Sequence, residues 1–178
     1  MSLPDSLSTP DAGDAARILD EQVALLYKHQ PLSLAMVSGL SAIVAGYLAL
    51  AEPGHATVLA LWFAAMLAVA AGRAWLGARY RREGAGDTAK AGEWFARLRL
   101  GTLLSAAGWG VISPVVLPGA SPQAGLFLML ILAGIGAGAV PVLAPGRALY
   151  TQYSALIYGP LILTLLYIAD AFHVTVAL

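Results

Sequence analysis

The chain has 178 residues, of which 59% are hydrophobic and only 11% are charged, with ten basic and ten acidic side chains. Ordinary soluble domains are about 45 to 50% apolar and about 25% charged, so this composition excludes a water-soluble globular domain as the main body. A net charge of zero gives no reason to expect a nucleic-acid partner. The absence of cysteine excludes disulfides, thiol catalysis and cysteine metal sites.

The amino-terminal segment divides into two parts. Residues 1–13 are rich in Ser, Pro, Asp and Gly, which is typical of a disordered leader, and they lack the basic-then-apolar order of a cleaved secretory signal. Residues 14–30 place apolar side chains at helical spacing and charged side chains on another face. This pattern predicts an amphipathic helix in the headgroup layer. The alternative is a short soluble helix that packs on a neighbouring domain.

The rest of the chain, residues 31–178, is dominated by long apolar stretches. A helix needs about 20 apolar residues to cross the hydrocarbon core, and five stretches meet that length without a central charge. They lie at about 32–51, 56–76, 100–117, 123–143 and 147–169. Pro31 suits the first turn of the first span, and the closing "HVTVAL" indicates a sixth, truncated span. The sequence therefore predicts an all-α, polytopic transmembrane bundle.

Basic residues concentrate around the segment that follows the second span, where they are Arg79, Arg81, Arg82, Arg97 and Arg99. Cytoplasmic loops carry the excess of Lys and Arg, so we expect this loop, and with it the amino terminus, to be cytoplasmic. Heavy use of Ala, Gly and Arg fits a GC-rich bacterium. The predicted location is the bacterial inner membrane.

Residues able to carry chemistry are few. No Asp, Glu, Lys or Arg lies in the middle of a span, which argues against a transporter or channel. Arg73 is the deepest charge, and we expect it to extend to the headgroups along its own stem. We find no catalytic residues, because no nucleophile, base and acid can be assembled and "GIGAG" lies within an apolar helix rather than in a phosphate loop.

We expect no cofactor and no metal, because the three histidines lack metal-ligand spacing. His55 and His173 are both expected at the outer face. They are interpreted as interfacial residues, with a shared metal or a protonation sensor as the alternative.

The fourth span carries Gly134, Gly136 and Gly138 at every second position. Helices in lipid associate through close packing, which small residues permit, so we expect these glycines to face other helices. Comparable ridges are Ser38, Ala42 and Gly46 in the first span and Ala64, Ala68 and Gly72 in the second. Pro141 removes a backbone hydrogen bond, so the fourth helix is expected to pack centrally and bend, as a rigid core or a pivot.

Two further features suggest helix contacts. Tyr150, Ser154 and Tyr158 form a hydroxyl stripe at a spacing of four residues. Interhelical hydrogen bonding and a polar ligand pocket are the two interpretations. Trp109 lies away from the span ends, so we expect it to face other helices.

Three segments carry a family resemblance: "EQVALLYKHQPLSL", "EWFARLRLGTLLSAAGWGV" and "LFLMLILAGIGAGAVPVLAP". With them the chain resembles the amino-terminal membrane module of bacterial signalling proteins that end in GGDEF diguanylate cyclase domains, often with an EAL domain, or in a histidine kinase. The resemblance implies six spans, dimerisation and a cytoplasmic output domain. The chain has no GGDEF, EAL or kinase motif, so enzymatic activity does not carry over.

The sequence thus leads to a functional hypothesis. We expect a membrane-embedded sensory and anchoring module that forms a homodimer in the lipid bilayer and controls a missing carboxyl-terminal output domain. A diguanylate cyclase is the first expectation for that domain, and a histidine kinase is the second. The competing interpretation is a small accessory subunit of a larger membrane complex, which would use the same ridges against partner helices.

Overall fold

The computed structural model describes residues 12–143 and 147–176. The described residues form five long helices and no strand: α1 (Ala12–Ala51), α2 (Ala56–Glu83), α3 (Ala91–Val116), α4 (Pro122–Leu143) and α5 (Arg147–Val176). Each of the five is long and apolar enough to cross a membrane. The predictions of an all-α fold and of five potential spans are confirmed.

Helix α1 is continuous through two segments that were predicted to be separate, residues 14–30 and the first span. Its 40 residues correspond to about 60 Å, roughly twice the thickness of the hydrocarbon core. Pro31 lies within it rather than at the start of a new helix. Val23, Leu26 and Tyr27 are buried in the protein core instead of facing lipid. A separate interfacial helix is therefore not confirmed.

Short turns arrange the helices so that their connections lie at two ends. The 3-10 turn Pro53–His55 links α1 to α2, and the Ser121 backbone N–H donates to Glu52 Oε1 at 2.7 Å. This hydrogen bond places the α1–α2 and α3–α4 connections at the same end. The α2–α3 connection, with Thr88–Lys90, lies at the other, which we name the basic end. Gly86 and Gly119 have φ near +84° and +82°, which glycine adopts without strain.

Helix α3 is the centre of the bundle. It has the largest share of buried residues among the five potential spans, and its most extensive contact is with α5. Trp109 is fully buried within it, as are Ala106 and Val116. Because α3 packs against each of the four other long helices, the third span, and not the fourth, holds the central position.

The two chain ends differ from the sequence expectations. Residues 1–11 of the predicted leader lie outside the described residues, whereas Ala12 and Gly13 belong to α1. Helix α5 continues to Val176, so part of "HVTVAL" extends the fifth helix. The beginning of a sixth span is not confirmed.

Candidate functional site

The predicted glycine ridge of α4 divides between two faces. Gly136 is buried, and a methyl group added there would overlap the Tyr158 hydroxyl. Gly134 and Gly138 have no atom within 4 Å of the position that a Cβ would occupy, and both are exposed, as are their neighbours Ala133 and Ala137. The ridge therefore points away from the four other helices, and its contact with another helix stays a prediction.

The ridges of α1 and α2 also face outward. Ala42, Gly46, Ala64, Ala68 and Gly72 are exposed and Ser38 is half-buried. No atom lies within 4 Å of the Cβ position at Gly46 or Gly72. Three helices of this bundle thus present small-residue faces on which no described residue packs. In a bilayer such faces favour close approach of a further helix.

A different set of glycines makes the contacts within the chain. A Cβ at Gly110 would overlap the Leu156 carbonyl oxygen and lie 3.2 Å from Pro160 Cγ, so α3 and α5 come together backbone to backbone. Gly108 touches Met66, and its carbonyl accepts a hydrogen bond from Trp62 Nε1 at 2.6 Å. The sequence interpretation missed both glycines. The only available signal was the small-residue run "AAGWG" around Trp109.

Trp109 and Pro141 occupy contrasting environments. The Trp109 ring is fully buried and meets the Trp62 ring edge to face, with 5.2 Å between centroids. Its indole nitrogen has no hydrogen-bond partner in the part of the chain that the structure describes. Pro141 is exposed, and α4 continues past it to Leu143. The structure thus places Trp109 among other helices and Pro141 on the outside.

Of the hydroxyl stripe of α5, only Tyr158 donates a hydrogen bond to another helix among the described residues. Tyr158 donates to the Leu132 carbonyl of α4 at 3.3 Å, which is the interhelical bond that the first interpretation predicts. Tyr150 packs against the core half-buried. The Ser154 hydroxyl is buried without a partner among the described residues. Tyr153, which the spacing argument passed over, is buried on the same helix.

The basic end combines exposed arginines with a buried aromatic cluster. Arg79, Arg81, Arg82, Arg97 and Arg99 are all exposed. Arg79 pairs with Glu83 at 2.8 Å, Arg97 pairs with Glu93 at 3.2 Å, and Arg99 Nε donates to Gln152 at 3.1 Å. Exposed pairs of this kind contribute at most about 1 kcal/mol each, so they add little to the stability of the fold.

The aromatic cluster consists of Tyr27 of α1, Tyr80 of α2 and Trp94 of α3. Tyr27 stacks on Tyr80 with 4.0 Å between ring centroids, and Trp94 meets both rings edge-on. The Tyr27 hydroxyl donates to the Trp94 carbonyl at 3.2 Å. Gly84, at the end of α2, lies directly against the Trp94 ring. The cluster joins three helices at the basic end.

Histidines and carboxylates do not come together in the described ranges, where no three of them are placed to hold a metal ion. His55 is half-buried in the α1–α2 turn. The side chain of His173 lies outside the described residues. The structure therefore does not test the pairing of these two histidines.

At the end opposite the basic end, Glu52 is the one acidic side chain that bridges two described connections. The Ser121 backbone N–H and the Ser121 side chain hold the pKa of the Glu52 carboxyl below its ordinary value, and His55 adds a smaller effect in the same direction. A carboxyl whose folded pKa is lowered stabilises the fold above its unfolded pKa. That contribution is lost as the pH falls through the folded pKa.

We therefore expect Glu52→Gln to lower the midpoint of thermal unfolding in detergent micelles at pH 7. The difference between the two proteins should shrink below about pH 4.3, the ordinary glutamate value, because the wild-type carboxyl then becomes protonated. Glu83→Gln is the control, since it removes only an exposed pair at the basic end. A Glu52→Gln difference that stays constant from pH 7 to pH 3 would contradict the assignment.

The geometry thus offers outward small-residue faces, an arginine-rich end and few groups suited to catalysis. Comparison with protein-family models, with curated proteins and with solved structures found no match for this chain.

Proposed function

We propose that the chain is a membrane-embedded sensory and anchoring module that associates with a second copy of itself through α4. The observation that carries this proposal is the outward α4 face, where the Cβ positions of Gly134 and Gly138 are unoccupied. Helix pairs in lipid gain stability when backbones approach closely across such positions. Dimerisation in turn brings two copies of an attached output domain together.

The proposed orientation puts the basic end in the cytoplasm of a bacterium. Its support is the positive-inside rule, together with the exposure of Arg79, Arg82 and Arg99 at that end. Trp75, with 63% of its surface exposed, lies one turn before Arg79, and tryptophan prefers the membrane interface. The amino terminus then lies on the same side as the α2–α3 connection.

The output domain is the part of the proposal that rests on the resemblance. A diguanylate cyclase is the first candidate, because two such domains must meet to act, and a histidine kinase is the second. The reading frame that follows the codon for Leu178 tests this part directly. A GGDEF or kinase domain after a further helix would support it, and an immediate stop codon would contradict it.

The association can be tested with two halves of a fluorescent protein that matures only in the cytoplasm, each fused ahead of residue 1. We expect fluorescence from the wild-type chain and a reduction of about tenfold for Gly134→Leu with Gly138→Leu. The reason is that two leucines hold the backbones apart, and losing roughly 1.4 kcal/mol of association free energy lowers the association constant tenfold.

Two controls separate the possible failures. Ala155→Leu with Gly159→Leu places two leucines at the same spacing on α5, where Ala155 is exposed and the Cβ position of Gly159 is likewise unoccupied, and should leave fluorescence unchanged. An intact fluorescent protein on the amino terminus reports orientation alone. If the intact fusion is dark, the orientation is wrong. If only the split pair is dark, self-association is wrong.

The accessory-subunit interpretation remains the second candidate, and one observation favours it. Small-residue faces point outward on α1, α2 and α4 together, which is more surface than a single two-fold contact through α4 uses. A chain that purifies with a different membrane protein in fixed ratio, and that shows no split-reporter signal, would support the subunit over the homodimer.

A further inference from the structure

Arg73 is a cation that the fold holds inside the bundle near the basic end. It lies about 26 Å along α2 from Ala56, at 1.5 Å per residue, and so within a hydrocarbon core about 30 Å thick. The side chain does not extend toward the headgroups as the sequence led us to expect. Its Nη1 donates to Ser105 Oγ of α3 at 3.0 Å.

The surrounding helices are shaped to admit this side chain. A Cβ at Gly101 of α3 would lie 2.8 Å from Arg73 Cγ, so the glycine leaves the space that the arginine stem occupies. Gln30 of α1 donates to the Arg73 carbonyl at 2.8 Å. Tyr27 and Tyr153 lie close enough to interact electrostatically with the guanidinium. Three other helices, α1, α3 and α5, therefore contribute polar groups around one arginine.

Those groups are all neutral, so the positive charge is not balanced. The ion pairs in the described part of the chain join Arg79 to Glu83, Lys90 to Asp87 and Arg97 to Glu93, and none of them includes Arg73. A guanidinium has five N–H donors, and one of them is taken by Ser105. Charges removed from water require a counter-charge and hydrogen-bond acceptors, and within the described ranges Arg73 has one acceptor and no counter-charge.

We propose that Arg73 binds a phosphate group that enters from the leaflet at the basic end. The side chain is half-buried rather than sealed inside the bundle, and Arg73 lies toward the basic end of α2, about 26 Å from Ala56. The planar fork of a guanidinium matches two phosphate oxygens. A lipid headgroup and a free phosphate ion share this chemistry. The site does not depend on the proposed dimer or on an output domain.

The test is thermal unfolding of the purified chain in uncharged detergent micelles. A ligand that binds only the folded state raises the unfolding midpoint. We expect phosphatidylglycerol to raise it and diacylglycerol with the same acyl chains, which lacks the phosphate, to leave it unchanged. An equal rise with inorganic phosphate alone identifies the free ion as the ligand, whereas a rise with phosphatidylglycerol only identifies the lipid.

Variants connect the effect to Arg73. Arg73→Gln should weaken the apparent affinity for phosphatidylglycerol about tenfold or more, because a hydrogen-bonded charge is lost. Without lipid it should unfold at or above the wild-type temperature, since the unbalanced cation is gone. Arg79→Gln removes the same charge from an exposed, paired position and should keep the wild-type response.

The proposal is overturned if neither phosphatidylglycerol nor phosphate stabilises the wild-type chain, or if Arg73→Gln responds as the wild type does. Should Arg73→Gln fail to fold, Arg73→Lys takes its place. Lysine keeps the charge but lacks the fork, so affinity should fall several-fold, and an unchanged affinity would overturn the proposal equally.

Discussion

Replacing Gly110 by alanine is expected to lower the free energy of unfolding by about 3 kcal/mol, at the upper end of the usual cost of overpacking. The added methyl group would overlap the Leu156 carbonyl oxygen. That oxygen belongs to the backbone of α5, so it can move only if the whole helix moves. Because α3 and α5 form the most extensive helix contact in the bundle, the displacement should spread through the core.

Gly108→Ala is the matched control, two residues away on the same helix. Its methyl group would meet the sulfur of Met66, the flexible end of an unbranched side chain that can rotate aside. Alanine also gains up to about 1 kcal/mol of helix propensity over glycine. We expect the unfolding free energy to change by less than about 1 kcal/mol.

Equilibrium unfolding of both variants in mixed micelles, followed by circular dichroism, gives the comparison. The fluorescence of the Trp62 and Trp109 pair beside Gly108 and Gly110 gives a local reading. Equal destabilisation by the two variants would show that α3 and α5 do not meet backbone to backbone.

The contrast between these glycines and the ridge of α4 shows what the sequence could predict. The residues that share a face follow from spacing alone, and Gly134 and Gly138 do share one. Which way the face points does not follow. In water an apolar face turns inward, but lipid is as apolar as the protein core, so hydrophobicity does not distinguish inside from outside. Gly110 was missed and Gly134 was expected inside for this one reason.

Apolar length predicted the number of spans better than residue spacing predicted the packing. The five spans followed from apolar length, and the structure gives five helices that meet it. The helix ends were harder to predict, because α1 runs through Pro31 and α2 continues to Glu83. Tertiary contacts explain why both helices are longer than expected. Tyr27 and Tyr80 stack on each other beyond the expected span ends, and the length of an apolar stretch gives no information about such a contact.

Arg73 illustrates the same limit for a charged residue. Its distance from the span end predicted that the side chain would extend to the headgroups, and that rule considers only its own helix. The direction of the side chain is set by Ser105 and by the space over Gly101, both on α3. No spacing within α2 could have indicated them.

The aromatic cluster at the basic end supports the second large prediction. Trp94→Ala should lower the free energy of unfolding by about 3 to 5 kcal/mol, the usual cost of removing a buried tryptophan. The ring is 2% exposed, and its loss opens a cavity beside Tyr27, Tyr80 and Gly84. Trp75→Ala is the matched control, because that ring is exposed at the same end of the bundle and surface substitutions usually change stability by about 0.5 kcal/mol or less.

The stability lost in Trp94→Ala should appear first in the part of α1 that packs against the removed ring. Residues 17–30 of α1 extend beyond the length needed to cross the membrane. The described contacts that hold them include those of Val23, Leu26 and Tyr27 with the core and the hydrogen bond from Gln30 to the Arg73 carbonyl. Without the Trp94 ring, amide hydrogen exchange in this part of α1 should accelerate while exchange in α3 around Trp109 stays slow. Uniform acceleration through the bundle would instead mean that the amino-terminal half of α1 unfolds only with the whole protein. The aromatic cluster would then not be a separate joint between α1 and the two helices beside it.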